Sequence, residues 1–282
     1  MNTEQAQKLI HALRKLAKND LRLNVNELRI IVALERAVAR LQYDRTLAKH
    51  LIFKGGFVLL KHYESSRFTR DADALAIDIS QEKLKGMVCQ ALAQDLDDGL
   101  WYGDIQTKLL EEQGKYGALR FELAFQVGKP KPNKIHKLSR THIDIGFSDQ
   151  LIAQAKDATM MPLFDMSVPI SWKIYSIEQI VAEKLETLFQ RNIENSRSKD
   201  VYDLTYLIPR CKDKELLLSS INQTFKIRDT PLPTSFCETA LTFGDLSVLE
   251  VAWPGVKTLE PKPAFSEIWK TLLKCLQQLD EK

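Results

Sequence analysis

Asp71 and Asp73 stand one residue apart in the run Thr69-Arg70-Asp71-Ala72-Asp73, and Lys54-Gly55-Gly56 precedes them by a short helix-length spacer. On a strand, residues i and i+2 point to the same face, roughly 7 Å apart. Two carboxylates placed that way can hold Mg²⁺, which in turn can hold the phosphates of a nucleotide. Asp-x-Asp pairs also occur on solvated turns, so the meaning of this one depends on what the rest of the chain supplies.

Three further features bear on it. In Thr141-His142-Ile143-Asp144-Ile145-Gly146-Phe147, apolar residues alternate with His142, Asp144 and Gly146, the pattern of a half-buried strand. Asp144 is then on a polar strand face. There it would complete a metal cluster, accept a proton from an attacking hydroxyl, or simply meet solvent. Lys184 lies inside the apolar stripe of Ile177, Ile180, Val181, Leu185, Leu188 and Phe189. Such a lysine either snorkels to water or points into a polar cavity, where it would neutralise a nucleotide phosphate. In Arg197-Ser198-Lys199-Asp200-Val201-Tyr202-Asp203-Leu204, Ser198 reads as a helix cap with Asp200 in the first turn. Asp200 and Asp203 share a face at i, i+3, from which they could orient Lys184 or hold the base and sugar of a nucleotide.

Alternating elements position these residues. Helical spacing predicts a helix over 3–18 and a second from an Asn24–Glu27 capping box to about Leu41. Leu51-Ile52-Phe53 leads into the glycines and a helix through Lys61; Asp71 to Ile79 suits a strand; Ser80 caps a helix to about Asp97. Strands are expected at Asp104–Leu110, Tyr116–Val127 and Ser139–Phe147, the last two joined by a Lys- and Pro-containing loop. From Ser176, where Gln179 suggests another capping box, helices are expected at about 176–190, 199–208, 212–226, 235–248 and 264–279. The order suggests an α/β half followed by a helical half, with the seam near Asp165 to Ser176.

Composition narrows the class. The 282 residues are 44% hydrophobic and 27% charged, ordinary for a soluble globular protein, and no apolar run approaches a membrane span. Cys89, Cys211, Cys237 and Cys275 are far apart, as expected of core thiols in a reducing cytoplasm. Net charge is only +3, but residues 1–50 hold ten Lys/Arg against five Asp/Glu. A second basic run, Lys129 to Arg140, contains no acid. The N-terminal helices and this run are the candidate contacts for an anionic partner such as RNA.

Taken in order, Lys-Gly-Gly, Thr-x-Asp-x-Asp, a strand aspartate, Ala182-Glu183-Lys184-Leu185-Glu186-Thr187-Leu188 and Lys199-Asp200-x-Tyr202-Asp203-Leu204 form one pattern. It resembles the nucleotidyltransferase toxins of the AbiEii/AbiGii type, which include the MenT-type enzymes of toxin–antitoxin systems, over roughly Phe53 to Leu207. The resemblance implies an α/β (α+β) fold: a polymerase-β-like nucleotidyltransferase core over 1–170, with N-terminal helices, and a helical domain over 171–282. It implies a cytoplasmic enzyme with no membrane partner that moves nucleotides from an NTP to an RNA acceptor, in the family the tRNA 3′ end, with Mg²⁺ as cofactor. A cognate antitoxin encoded nearby is the implied partner. By the same resemblance, Gly55 and Gly56 form the glycine turn beside the phosphates, Thr69 keeps the hydroxyl of the family's serine, and Asp71 and Asp73 bind metal. Lys184 and Asp200 match the essential later pair, and Asp144 the third carboxylate. Arg70 departs from the family, where an acid is common. A protein NMP-transferase or kinase using the same site, or a non-catalytic binding partner, are the alternatives.

Overall fold

The computed structural model describes residues 2–18, 23–111, 117–147, 150–164, 168–191 and 197–281. The expected strand start at Tyr116 and the expected seam residue Asp165 lie outside them. The chain divides into two compact units, one of Met1–Glu64, Thr69–Gln150 and Lys156–Ile174, the other of Ser65–Phe68, Leu151–Ala155 and Tyr175–Lys282.

In the first unit, helix α1 (Thr3–Lys18) precedes α2 (Val25–Tyr43). Asn24 accepts from the amides of Asn26 and Glu27 at 2.9 and 3.1 Å, and Glu27 accepts from Asn24 N–H at 2.9 Å. This reciprocal cap is the one the sequence predicts. Most of the circumference of α2 is buried, so its charges need internal partners. Arg40 donates to both oxygens of Asp98 at 2.8 and 3.0 Å, and Arg36 Nε reaches the same carboxylate at 2.8 Å. Glu35 accepts from Lys61 Nζ at 2.7 Å. The expected basic N-terminal surface is narrowed accordingly: of its ten Lys and Arg residues, Arg36 and Arg40 are 7% and 0% exposed and neutralised within the fold. Lys8, Arg14, Lys15 and Lys18 on α1 are exposed.

Strands β1 (Leu51–Lys54), β2 (Asp71–Ala76), β3 (Leu100–Glu111), β4 (Gly117–Val127), β5 (Ser139–Gly146), β6 (Lys156–Met160) and β7 (Ile170–Ile174) form one sheet in the order β3-β4-β5-β2-β1-β7-β6. It is mixed: β2 runs parallel to β5 and β1 parallel to β7, and the other neighbours are antiparallel. Helices α3 (Arg45–Ala48), α4 (Gly55–Lys61) and α5 (Gln81–Leu92) complete the unit. Residues Ala72, Phe121, Ile143 and Ile145 are fully buried on one face of the central strands, while their neighbours Asp71, Asp73, Arg120, Glu122, His142 and Asp144 are only partly buried.

Four sequence expectations change. Strands β6 and β7 were not anticipated, although Ile170, Trp172 and Ile174 are buried and alternate with exposed Ser171 and Lys173. β2 stops at Ala76, ahead of Asp78, whose φ of 54° no strand sustains. Helix α5 ends at Leu92, and Asp97 beyond it has φ 54°. The expected helix 235–248 is two, because Asp245 turns its side chain onto the amide and hydroxyl of Ser247, both at 2.8 Å, and starts a new turn.

The second unit is helical: α6 (Ile177–Arg191), α7 (Ser198–Leu207), α8 (Lys214–Ile227), α9 (Phe236–Leu241), α10 (Ser247–Ala252) and α11 (Phe265–Asp280). Helix α6 packs on α7 and α8, and α11 on α7 and α9. Phe236 sets its ring edge-on to Phe189 and Phe225, at 5.2 and 5.9 Å between centroids.

Candidate active site

Strand pairing in the first unit assembles a polar row. Asp73 lies opposite Lys54 on β1 and opposite Asp144 on β5, and Asp144 lies opposite Arg120 on β4. Asp71 lies opposite His142, which lies opposite Glu122. Residues facing each other across a ladder share a sheet face, so Asp71, Asp73 and Asp144 stand on one side.

Local contacts fix these groups. Thr69 Oγ1 donates to Asp71 Oδ1 at 2.5 Å, and His142 Nε2 is 3.7 Å from Asp71 Oδ2. The interaction with Asp71 raises the His142 pKa above its ordinary value, against the lowering effect of burial. Gly55 has φ +71°, and a Cβ there would stand 2.1 Å from Asp73 Oδ2. Glycine is required on both counts: backbone and carboxylate meet where no side chain fits. Gly56 follows as a buried residue of α4.

Asp144 is the exception. Arg120 donates to both its oxygens, from Nε at 2.8 Å and Nη2 at 2.7 Å. Among the described residues, no three His, Cys, Asp or Glu side chains converge as a metal cage. Asp71 and Asp73 nevertheless provide hard carboxylate oxygens on one strand face, beside backbone stripped of its side chain, and that donor set suits Mg²⁺. Asp144 would need to leave Arg120 before joining them.

Lys184 and Asp200 belong to the second unit. Lys184 does not snorkel: its ammonium lies 2.7 Å from Asp200 Oδ1 and 2.7 Å from Asp203 Oδ2. Arg67 donates to both oxygens of Asp203 at 2.6 and 2.9 Å, and Arg197 Nε is 2.7 Å from Asp200. Burial alone would raise the Asp200 pKa, but Lys184 and Arg197 outweigh it and hold the group down at about 2. Burial likewise works against the Lys184 charge, and the two aspartates prevail, keeping it above its ordinary value. Ser198 is not the cap expected of it. It is the first residue of α7, and its hydroxyl donates to the Leu249 carbonyl.

Sequence reasoning missed Arg120 and Arg67. Arg120 is visible only once the pairing of β4 with β5 is known. Arg67 finds Asp203 across 136 residues, a separation no local pattern reports.

The chain matches the family described as nucleotidyl transferase AbiEii toxin, type IV TA system, over residues 36–278. Among solved structures it is similar to JHP933 from Helicobacter pylori, at 18% identity and a TM-score of 0.51, over 88% of this chain and 89% of that one. It is also similar to a candidate nucleotidyltransferase from H. pylori, at 17% identity and a TM-score of 0.53, over 91% and 94%. At these identities the likeness speaks for the fold. No curated protein sequence matches the chain. A family match over most of the length, on a chain with this carboxylate row and this lysine–aspartate cluster, leads to one assignment: the protein belongs to the AbiEii nucleotidyltransferase toxin family and is a nucleotidyltransferase.

Proposed function

We propose that this nucleotidyltransferase is the toxin of a toxin–antitoxin pair and moves nucleotides from an NTP to an RNA acceptor, the tRNA 3′ end, so blocking translation. The observation that carries this reading is the Asp71–Asp73 pair on the polar face of β2, with Gly55 against Asp73, in a chain of this family. The mixed sheet flanked by helices supports a polymerase-β-like core, proposed over 1–170 although β7 carries the sheet on to Ile174, and the helices beyond it a helical domain, proposed over 171–282.

Bound Mg²⁺ would neutralise charge on the triphosphate and favour in-line attack on its α-phosphorus with loss of pyrophosphate. Asp71 and Asp73 would hold it, and the Thr69 hydroxyl fixes the Asp71 carboxylate in one orientation. Backbone N–H groups near Gly55 and Gly56 would cradle the phosphates, with Gly55 at positive φ and its Cβ side closed by Asp73. Asp144, held by Arg120 in this structure, would once freed take the proton of the attacking RNA hydroxyl or serve as a further ligand. Lys184 is kept protonated by Asp200 and Asp203 within the second unit, and its part in the chemistry is carried by the family pattern alone. Lys129, Lys131, Lys134 and Lys137, exposed on the loop between β4 and β5, are the proposed RNA contacts. Arg140 is engaged by Asp104 and Glu122. Among the described residues no helix is long and apolar enough to cross a membrane, and a cytoplasmic location is part of the proposal, as is an antitoxin encoded beside the toxin.

The test is incubation with each α-labelled NTP, Mg²⁺ and cell lysate or total RNA. Label on small RNA, lost in Asp71→Ala, is the expected result. Label on protein would replace the reading with a protein NMP-transferase. Absence of label, with toxicity unchanged in Asp71→Ala, would overturn it in favour of a non-catalytic partner.

A further inference from the structure

Arg120 sits among the carboxylates of the polar face, and no part of the proposed chemistry accounts for it. It lies one strand beyond Asp144, which itself lies opposite Asp73. Both its hydrogen bonds among the described residues go to the two oxygens of Asp144, and its side chain is 34% exposed. The contrast with its neighbour is informative: Arg140 is anchored by Glu122, by Asp104 and by two backbone carbonyls. One arginine is tied down, and the other is held by a single carboxylate at the edge of solvent. Asp144, Asp71 and Asp73 all contribute to keeping Arg120 charged.

We infer that Arg120 is the resident counter-cation of this carboxylate row: it occupies Asp144 in the nucleotide-free protein, yields it to the divalent cation, and then pairs with the triphosphate that the cation brings. The inference rests on the proposed metal role of Asp71 and Asp73. Three physical points support it. A guanidinium and a divalent cation repel, so both do not share Asp144 at full strength. The pair is close and two-pronged but partly exposed, 34% on Arg120 and 17% on Asp144, so water can solvate both groups while partners are exchanged. The planar fork that fits a carboxylate also fits a phosphate, so the displaced guanidinium has a partner in the arriving nucleotide. Arg120 thereby sets two quantities at once, the cation concentration the site requires and its grip on the nucleotide.

The experiment is a titration of the full-length protein with Mn²⁺, read by calorimetry or by loss of the free-ion resonance signal, without nucleotide and then with an α,β-methylene NTP. Arg120→Ala is expected to tighten Mn²⁺ binding about fivefold or more, since the competitor is gone. Arg120→Lys should fall between it and the wild type, and Arg120→Ala with Asp144→Asn should lose the gain. With Mn²⁺ saturating, Arg120→Ala should weaken analogue binding about tenfold. Mn²⁺ affinity that is unchanged or weaker in Arg120→Ala, with an unshifted melting temperature, overturns the exchange. Unchanged analogue affinity overturns the phosphate role. Wild-type protein that binds no Mn²⁺, or an Asp71→Asn, Asp73→Asn double variant that binds it as well as wild type, overturns the metal reading of the pair and this inference with it.

Discussion

Two charged clusters of this protein, the carboxylate row and the lysine–aspartate group, are built on opposite principles. On the β2–β5 face, the side chains of Asp71 and Asp144 are 28% and 17% exposed. In the helical unit, Asp200 and Asp203 are wholly buried and are ringed by Lys184, Arg67 and Arg197. Buried charges must be satisfied permanently, because removing one partner strands the other in a medium that does not solvate it. Partly exposed charges can change partners, because water covers the interval. The first cluster is suited to exchanging cations and substrate, and the second to holding one lysine in one place and one protonation state.

That contrast can be broken experimentally. The largest effect belongs to the open face: Asp73→Asn is expected to slow labelled-nucleotide transfer about a thousandfold, roughly 4 kcal/mol, with little change in melting temperature. A large loss of stability instead would make the two clusters alike. Lys184→Met should do what Asp73→Asn does not, lowering unfolding stability by about 3 kcal/mol in a denaturant titration. That figure is at the low end for a broken buried pair because Arg67 and Arg197 remain. An unmoved midpoint would mean that the cluster is hydrated.

Acid sharpens the comparison. Asp200 has its pKa depressed from 3.8 to about 2, so it stabilises the fold above its ordinary value and loses that contribution as pH falls toward 2. The stake is about 2 kcal/mol at 1.36 kcal/mol per unit. Lys184 is shifted the other way, and its contribution is complete below its ordinary value and lost above it in alkali. Stability measured from pH 5 to 2 should therefore fall less steeply in Asp200→Asn than in the wild type; parallel curves would refute the assignment. The smallest effect is expected from Thr69→Val. It removes one hydrogen bond to Asp71 and should reduce transfer roughly tenfold, with a normal unfolding curve.

How much of this was readable beforehand follows from the range of each interaction. Asp71 and Asp73 were legible because strand periodicity and a preceding glycine pair are local. Lys184 was legible as an anomaly, a charge inside an apolar stripe, and its two aspartates were nameable because they share a helix turn. Their further partner Arg67 was not, since a contact across 136 residues leaves no periodic trace. Arg36 and Arg40 misled for a related reason. Composition counts them as surface charge, and only the packing of α2 reveals Asp98 as their partner, 58 residues away from Arg40. The short strands β6 and β7 are five residues each, barely enough alternation to register beside the helices that follow.

The polar row has a consequence for how the chain finds its fold. Charged residues alternate with Ala72, Ala74, Phe121, Ile143 and Ile145, so sliding β2 past β5 by one position would turn β2 inside out relative to β5. Aspartates would then face the core and alanines the solvent, an error too costly to persist. Because Ala72 and Ala74 are small and fit many neighbours, the carboxylates do much of the discriminating between correct and shifted pairings. The residues that give the protein its chemistry thus also proofread its assembly, and apolar replacements at Asp71 and Asp73 together should refold into a more heterogeneous population even where the native state survives.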